Sequence, residues 1–229
     1  MTLPVGQERG DTGGQVCPMF PLESVRLPGE DLPLRIFEPR YGALIRDCLA
    51  GERQFGVVLI AAGREVGGGD ARCDVGALAH IVAAEDQGGG RYQIACEMRT
   101  RIRVEHWLDD DPYPRATVQA WPDEPGDAVT GADISAVEDR VMELFERIAA
   151  AREATLPPKH ELLGEPEPGD DAGTRLYALA ARIPIGQADR YAVLAAPSAA
   201  ARLAALSDAV ETVAAMVEFQ LAGDPPPDQ

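Results

Sequence analysis

The sequence predicts an α+β protein in which a β-rich first half is followed by a helical second half. Between residues 15 and 121, short apolar runs alternate with turn signals, which is typical of a small barrel or sandwich of short strands. Beyond residue 131, apolar residues recur at spacings of three and four, which indicates amphipathic helices. A stretch rich in Pro, Gly and acidic residues, Trp121–Gly131, separates the two patterns and predicts a boundary there.

The first half predicts seven strands and one helix. Pro28-Gly29 signals a turn, and Pro39 stands at a plausible helix start, with Gly51 at its end. The glycine runs Gly67–Gly69 and Gly88–Gly90 lack the spacing of a phosphate-binding loop and are interpreted as loop tips. The predicted strands are Val16–Leu22, Leu32–Phe37, Phe55–Ala61, Val75–Ala84, Tyr92–Met98, Thr100–Glu105 and Ala116–Ala120.

The second half predicts four helices. Asp133 is a candidate N-cap for the first of them, whose apolar face extends from Ile134 to Ile148. After a loop over Leu156–Gly173, two short helices and a last helix capped by Ser198 are expected. The short helices are predicted at Thr174–Arg182 and Gln187–Ala195, and the apolar stripe of the last helix at Leu203, Leu206, Val210, Val213 and Val217.

These elements predict five segments along the chain. They are a flexible N-terminus (1–14), a β-rich domain (15–121), a linker (122–131), a helical bundle (132–222) and a Pro-rich tail (223–229). The N-terminus has neither the basic nor the apolar region of a secretory signal, so we expect a cytoplasmic protein. Its four cysteines have no tight metal-ligand spacing, and we expect them to be reduced, buried thiols without zinc.

The net charge of −17 limits the classes of partner. Residues 15–121 carry 12 basic and 16 acidic side chains, whereas residues 122–229 carry 8 and 20. Because binding to nucleic acid or to an anionic membrane surface needs positive charge, neither half is typical of such a binder. No apolar run approaches 18 residues, so no membrane span is expected either.

Three stretches resemble the N-terminal, substrate-recognition domain of the Lon protease. Met19-Phe20-Pro21-Leu22 is followed by Leu32-Pro33-Leu34-Arg35-Ile36-Phe37-Glu38-Pro39-Arg40-Tyr41, which is similar to the distinctive opening of that family. The other stretches are Phe55–Ile60 with Val75–Ala79, and Asp111–Ala116, while Ile183-Pro184 and Arg202-Leu203 fit the helical half. The resemblance covers about residues 16 to 221. It implies a PUA-like β-barrel or pseudobarrel with one inserted helix, followed by a C-terminal α-helical bundle.

Catalytic motifs are missing from this sequence. A Walker A loop and a Ser-Lys dyad both need a lysine, and the single lysine, Lys159, has neither the glycine before it nor the Ser or Thr after it that the loop requires. His160–Gly164 lacks the second histidine of a zinc-protease helix, and its neighbouring prolines favour a loop. We therefore expect a stand-alone, non-catalytic form of the domain, without cofactor or metal and without the ATPase and protease domains.

Two groups of residues are candidates for binding. Arg99, Arg101 and Arg103 alternate, so on a strand they would share one face. That face is interpreted either as a receptor for an acidic peptide or for the acidic helical half, or as an ordinary solvated row of charges. The second group, Phe37, Glu38, Arg40 and Tyr41, is the signature stretch. It can bind a partner, or it can serve the fold, with Pro39 starting a helix and Phe37 and Tyr41 packing beneath it.

These observations leave three functions open. A protein- or peptide-recognition module is favoured, with unfolded or partner proteins, or a separate AAA+ ATPase or protease, as partners, and with a possible homodimer through the last helix. A small-ligand protein or enzyme on the same barrel is the alternative, which requires Glu38, Glu97, His80 and His106 to cluster. RNA binding rests on analogy with the fold and is disfavoured by the acidic charge.

Overall fold

A computed structural model describes residues 14–62, 71–166 and 168–223. Six strands and six helices are found there, so the α+β class is confirmed. The predicted loop tip at Gly67–Gly69 and most of the predicted N-terminal and C-terminal segments lie outside these ranges. The strands are β1 (Gln15–Leu22), β2 (Asp31–Ile36), β3 (Gln54–Ala62), β4 (Ala71–Gly88), β5 (Arg91–Leu108) and β6 (Arg115–Ala120). The helices are α1 (Pro39–Ala50), α2 (Gly131–Ala151), α3 (Lys159–Leu163), α4 (Ala172–Arg182), α5 (Gln187–Ala195) and α6 (Ala199–Gly223).

The strands form one mixed sheet in the order β2-β5-β4-β3-β1-β6. Since β6 also pairs with β5, strands β1, β3, β4, β5 and β6 are linked in a closed circuit, and β2 is attached to β5 outside it. Only β1 and β3 run parallel among the described strands. A parallel pair needs a crossover connection, and here β2 and α1 supply it.

The β4–β5 hairpin is longer than the sequence predicted. Tyr92–Met98 and Thr100–Glu105 were expected as two strands but belong to the single strand β5. Met98 pairs with Ala79 and Arg101 with Ala77, so β5 contains an extra residue at this point. Such a bulge bends a strand without ending it, so the two predicted strands form one continuous strand. The predicted tip at Gly88–Gly90 is confirmed, with φ values of 77°, 64° and 74° that favour glycine.

Two predictions about helix starts are wrong. The N-cap of α2 is Thr130 rather than Asp133, and the two form a capping box in which the Asp133 N–H donates to the Thr130 hydroxyl. The Asp133 carboxylate in turn accepts from the Thr130 N–H at 2.8 Å. Lys159–Leu163, interpreted as loop, is the short helix α3. Pro158 immediately precedes it, where the missing N–H costs no intrahelical bond.

Three clusters of buried side chains hold these elements together. The first lies among α2, α4, α5 and α6 and includes the predicted stripe residues Leu206, Val210 and Val213. The second lies under α1, and the third joins inward-facing residues of the closed strand circuit, such as Met19 and Ile102. A Cβ at Gly56 would come within 2.5 Å of the Met19 sulfur, so the third cluster is tightly filled at that level.

The four cysteines are free thiols in this structure. Cys17, Cys48 and Cys96 are buried as expected, whereas Cys73 is half-buried. Burial raises the pKa of Cys17 to about 11 and the pKa values of Cys48 and Cys96 to about 12. These three side chains therefore act as small apolar groups of the core.

Candidate functional site at the junction of sheet and helices

Arg101 is the central side chain of the junction between the sheet and the helical half. Its side chain is only 4% exposed, although the other two arginines of the predicted row, Arg99 and Arg103, are exposed. It donates hydrogen bonds to the carbonyl oxygens of Trp121 at 2.8 Å and Leu194 at 3.2 Å, and to that of Ala196. Arg101 therefore ties β5 to the loop between α5 and α6. Desolvation by burial lowers its pKa.

Asp123 lies between two buried arginines. Its carboxylate accepts from Arg101 at 2.9 Å and, in a bidentate pair, from Arg202 at 2.6 and 2.8 Å. Arg202 is 1% exposed and its guanidinium stacks over the Tyr177 ring at 3.9 Å. Burial is the main cause of the raised pKa of Tyr177. Bidentate pairing fixes geometry as well as charge, so this cluster sets the position of α6 relative to the sheet.

A cavity of about 400 Å³ adjoins this cluster, and we call it the junction cavity. One wall is formed by the first turn of α4, where Gly173 approaches the ion pair closely. A Cβ on Gly173 would come within 2.6 Å of Asp123 and 2.7 Å of Arg202, so a larger residue there would have to displace the ion pair. The lining of the junction cavity consists of Pro28, Gly29, Arg99, Thr100, Arg101, Ala120, Trp121, Pro122, Asp123, Asp171, Gly173, Thr174, Tyr177 and Arg202.

A larger cavity of about 670 Å³, the helical cavity, lies on the other side of the α4 N-terminus. Asp171, the N-cap of α4, lines both cavities. Its carboxylate accepts from the Thr174 N–H at 2.7 Å, and that backbone bond is the main cause of its lowered pKa. The lining consists of Val129, Gly131, Ile134, Ser135, Glu138, Lys159, His160, Leu163, Gly164, Glu165, Pro166, Asp170, Asp171, Ala172 and Arg175.

A buried ion pair forms the base of the helical cavity. Arg175 and Glu138, with side chains 7% and 13% exposed, meet at 2.5 Å. Arg175 also donates to the carbonyl oxygens of Leu163 and Gly164, at 3.3 and 3.0 Å. Lys159 contacts Glu138 at 3.2 Å, and its hydrogen bond to Asp139 is the main cause of its raised pKa. These contacts hold α2, α3 and α4 together around the cavity.

The predicted arginine row is not a single exposed surface. Arg99 is exposed and pairs with Glu97 at 3.0 Å, Arg101 is buried, and Arg103 stacks over Trp121 at 3.7 Å. The bulge between Met98 and Arg101 interrupts the alternation at Arg99, whereas Arg101 and Arg103 both stack over the Trp121 ring, at 4.2 and 3.7 Å. Arg101 does contact the helical half, mainly through backbone carbonyls rather than acidic side chains.

The predicted signature group lies elsewhere. Glu38 is the N-cap of α1 and pairs with Arg40 at 3.1 Å, while Tyr41 is buried and stacks on Phe20 at 4.1 Å. Phe37 is 67% exposed, so the expectation that it packs beneath the helix is wrong. The group follows one end of the β2–β5 ladder, and Arg99 lies beyond the other end, roughly 25 Å away along the strand. The structure does not bring the two groups together.

The residues proposed for an enzyme are also dispersed. His80 pairs opposite Glu97 across β4 and β5, but His106 lies nine residues farther along β5, opposite Thr117. Glu38 forms its ion pair at the start of α1. Within the described ranges, no three His, Cys, Asp or Glu side chains are grouped so that they could hold a metal ion.

Sequence reasoning identified Arg99 and Arg101 but missed most of the other residues that line these cavities, including Asp123, Glu138, Arg175 and Tyr177. A signal was present for Arg202, because it precedes Leu206 and Val210 by four and eight residues and thus continues the buried stripe of α6. A charged residue on a buried stripe requires a partner. For the other residues, the partners lie far away in sequence and no local spacing indicates them.

The chain belongs to the family of ATP-dependent protease La (LON) substrate-binding domains, and the match to this family covers residues 16–212. The resemblance that the sequence motifs indicated is therefore confirmed. Among the described residues, no helix is both long enough and apolar enough to cross a membrane.

Particular relatives are Lon proteases of bacteria. The chain is 30% identical to "Lon protease 2" of Myxococcus xanthus over 144 residues, 60% of this chain and 17% of that protein. It is 32% identical to "Lon protease" of Anaeromyxobacter dehalogenans over 107 residues, 46% of this chain and 13% of that protein. The chain thus spans less than a fifth of the length of these relatives.

Solved structures show the same fold. A "Lon N-terminal domain protein" from Xanthomonas campestris superposes with a TM-score of 0.59 at 22% identity, covering 92% of this chain and 99% of that one. The N-terminal domain of Mycobacterium avium complex Lon protease gives a TM-score of 0.57 at 16% identity, covering 86% of this chain and 98% of that one. The sheet and the helical half together therefore constitute the Lon N-terminal fold.

Proposed function

We propose that this chain is a non-catalytic recognition module that binds segments of other polypeptides. The observation that carries this proposal is the pair of neighbouring cavities on either side of the α4 N-terminus, in a domain of the substrate-binding family. Concave sites with an apolar lining and a few polar groups are typical of ligand-binding surfaces. The junction cavity lies where the sheet meets the helices, which agrees with a groove between the two halves.

The closed strand circuit supports a finer description of the fold. We infer that it forms the PUA-like pseudobarrel, with α1 as the inserted helix and residues 132–222 as the helical bundle. The domain boundaries at residues 15–121 and the linker at 122–131 belong to the same proposal. Asp123 accepts hydrogen bonds from Arg101 of β5 and from Arg202 of α6, which supports a linker that is packed against both halves.

A cytoplasmic role as an adaptor in protein quality control follows from this function. Such a module would present bound polypeptides to an AAA+ ATPase or a separate protease. Affinity purification from the source cells with the intact chain as bait tests this role, and recovery of such an ATPase or protease is the expected result. Recovery of metabolic enzymes alone would contradict it.

A homodimer through α6 is a further part of the proposal. Met216 and Phe219 are 51% and 82% exposed on the outer face of this helix, one turn apart. Light scattering over a range of concentrations is expected to show a dimer that Phe219→Ser reduces to a monomer. A monomer at every concentration would contradict it.

Binding to an unfolded protein tests the recognition function itself. The probe is a cysteine-alkylated protein that cannot fold, labelled for fluorescence anisotropy, and the control is the same protein in its native disulfide-bonded form. We expect the unfolded form to bind and the native form not to bind. If neither the unfolded nor the native form binds, the proposal is contradicted.

A small-ligand protein remains the second candidate, because the helical cavity has a volume in the range typical of small-molecule sites. The enzyme version of this alternative required Glu38, Glu97, His80 and His106 to cluster, and these residues are dispersed in the structure. Thermal-shift screening against soluble metabolites distinguishes the candidates, since a stabilising metabolite together with no polypeptide binding would favour the alternative.

A further inference from the structure

We infer that the helical cavity selects polypeptide segments in which a large apolar side chain is flanked by lysine or arginine. This inference rests on the proposed recognition function and adds the chemistry of the segment. It depends on three properties of the cavity: the sign of its charge, the engagement of its own cations and the apolar character of part of its wall.

The lining of the helical cavity is acidic. Four carboxylates, those of Glu138, Glu165, Asp170 and Asp171, face two permanent cations, Lys159 and Arg175. Glu165, Asp170 and Asp171 are exposed residues, so their charges border the side of the cavity that solvent reaches. The lowered pKa of Asp171 keeps that carboxylate ionised at neutral pH. The entrance is therefore complementary to a positively charged ligand.

The cations of the cavity are already engaged. Arg175 is buried against Glu138 and donates to two backbone carbonyls, and Lys159 contacts both Glu138 and Asp139. An anionic ligand would have to displace these contacts before it could use either cation, and leaving Glu138 without its partner would be costly. The cavity therefore disfavours acidic segments as well as favouring basic ones.

Part of the wall is apolar. Ile134 on α2 and Leu163 on α3 line the cavity, together with Val129, Pro166 and Ala172. Leu163 is fully buried and Ile134 packs on the first hydrophobic cluster, so this wall is continuous with the core. An aliphatic or aromatic side chain that enters the cavity would exchange water for this surface, which supplies the non-directional part of binding.

The acidic surroundings extend the same selection. Residues 122–229 carry 20 acidic and 8 basic side chains, so the helical half attracts cations over a distance of about one Debye length, roughly 10 Å at moderate salt. Basic residues on either side of an apolar anchor would lie within this field. A polypeptide segment satisfies both requirements, since consecutive residues supply the anchor and its flanks.

Three labelled peptides test this inference by fluorescence anisotropy. They share one apolar core of leucine and phenylalanine and differ only in flanking residues, which are lysine, glutamine or glutamate. We expect the lysine peptide to bind about tenfold more tightly than the glutamine peptide at low salt, and the glutamate peptide to bind most weakly. The preference should largely disappear near ~1 M salt, while apolar binding remains.

Variants locate the site. Ser135 is exposed on α2 and lines the cavity, so Ser135→Trp fills the space without altering the core and is expected to weaken the lysine peptide at least tenfold. Glu165→Gln is expected to reduce the preference for lysine over glutamine several-fold without weakening the glutamine peptide. Glu146→Gln removes the same charge from an exposed position of α2 outside the lining and should change neither value. Circular dichroism checks that each variant is folded.

The outcomes separate this inference from the proposed function. Equal binding of all three peptides, or tightest binding of the glutamate peptide, overturns the selectivity and leaves recognition intact. Binding of the unfolded protein that Ser135→Trp does not affect overturns the location. If neither the peptides nor the unfolded protein bind, the proposed function fails and the inference fails with it.

Discussion

Replacement of Arg101 by methionine is expected to destabilise the protein more than any exposed charge replacement on β5. Methionine retains much of the side-chain volume but donates no hydrogen bond. The carbonyl oxygens of Trp121, Leu194 and Ala196 would lose their donor, and Asp123 would lose one of its two cations. Removing one partner of a buried ionic network typically costs about 3–5 kcal/mol.

Two features of the structure limit this cost. The junction cavity adjoins Arg101, so water can reach some of the carbonyl groups that lose their donor, and Arg202 remains paired with Asp123. We therefore expect a loss of about 3 kcal/mol in the free energy of unfolding. In a protein of this size the loss corresponds to a fall of about 10 °C in Tm.

Arg103→Met is the matched control. Arg103 lies two residues away on the same strand and stacks on the same Trp121, but it is exposed. Its replacement should cost about 1 kcal/mol or less. Urea denaturation followed by circular dichroism measures both variants. If the two substitutions lower the free energy of unfolding equally, the assignment of Arg101 as the tie between sheet and helices is refuted.

Two further predictions follow from local geometry. Gly173→Ala should lower the free energy of unfolding by about 1–3 kcal/mol, because the added Cβ would clash with the Asp123–Arg202 pair. Gly131→Ala is the control and should not destabilise, because no atom lies within 4 Å of the added Cβ. Thermal unfolding compares the two variants. When the protein is treated with iodoacetamide at pH 8, Cys73 should be alkylated first, because the raised pKa values of the three buried thiols leave less thiolate on them. Mass spectrometry of samples taken over time tests this order. Faster labelling of a buried thiol would contradict it. The three buried thiols are Cys17, Cys48 and Cys96.

Local patterns predicted the elements of the fold whose formation depends on neighbouring residues. The short helix α5 has the predicted bounds Gln187–Ala195, and α4 begins only two residues before its predicted start at Thr174. Turn glycines and helix periodicity are encoded within a few residues, so a single sequence reveals them. The bulge in β5 has no such local signal, because it depends on the register with β4.

The candidate site was largely hidden from sequence reasoning. Arg101 was singled out for its spacing, but its burial depends on carbonyl oxygens more than 90 residues away in the chain. Backbone acceptors leave no trace in the residue pattern, so neither the depth nor the partners of Arg101 could be predicted. The motif at Phe37–Tyr41 identified the family, yet none of its residues lines either cavity. The residues that characterise a family include those that stabilise its fold, so they need not mark a binding site.

Hydrogen–deuterium exchange with and without a saturating unfolded polypeptide tests the recognition account most directly. The account predicts slower exchange of amides around the two cavities, in residues 129–138 and 159–175, together with the junction near Arg101. Residues 39–50 of α1 provide an internal reference that should not change. Protection confined to α1 or to the β4–β5 hairpin tip, or no protection anywhere, would contradict the assignment of these cavities as the binding surface.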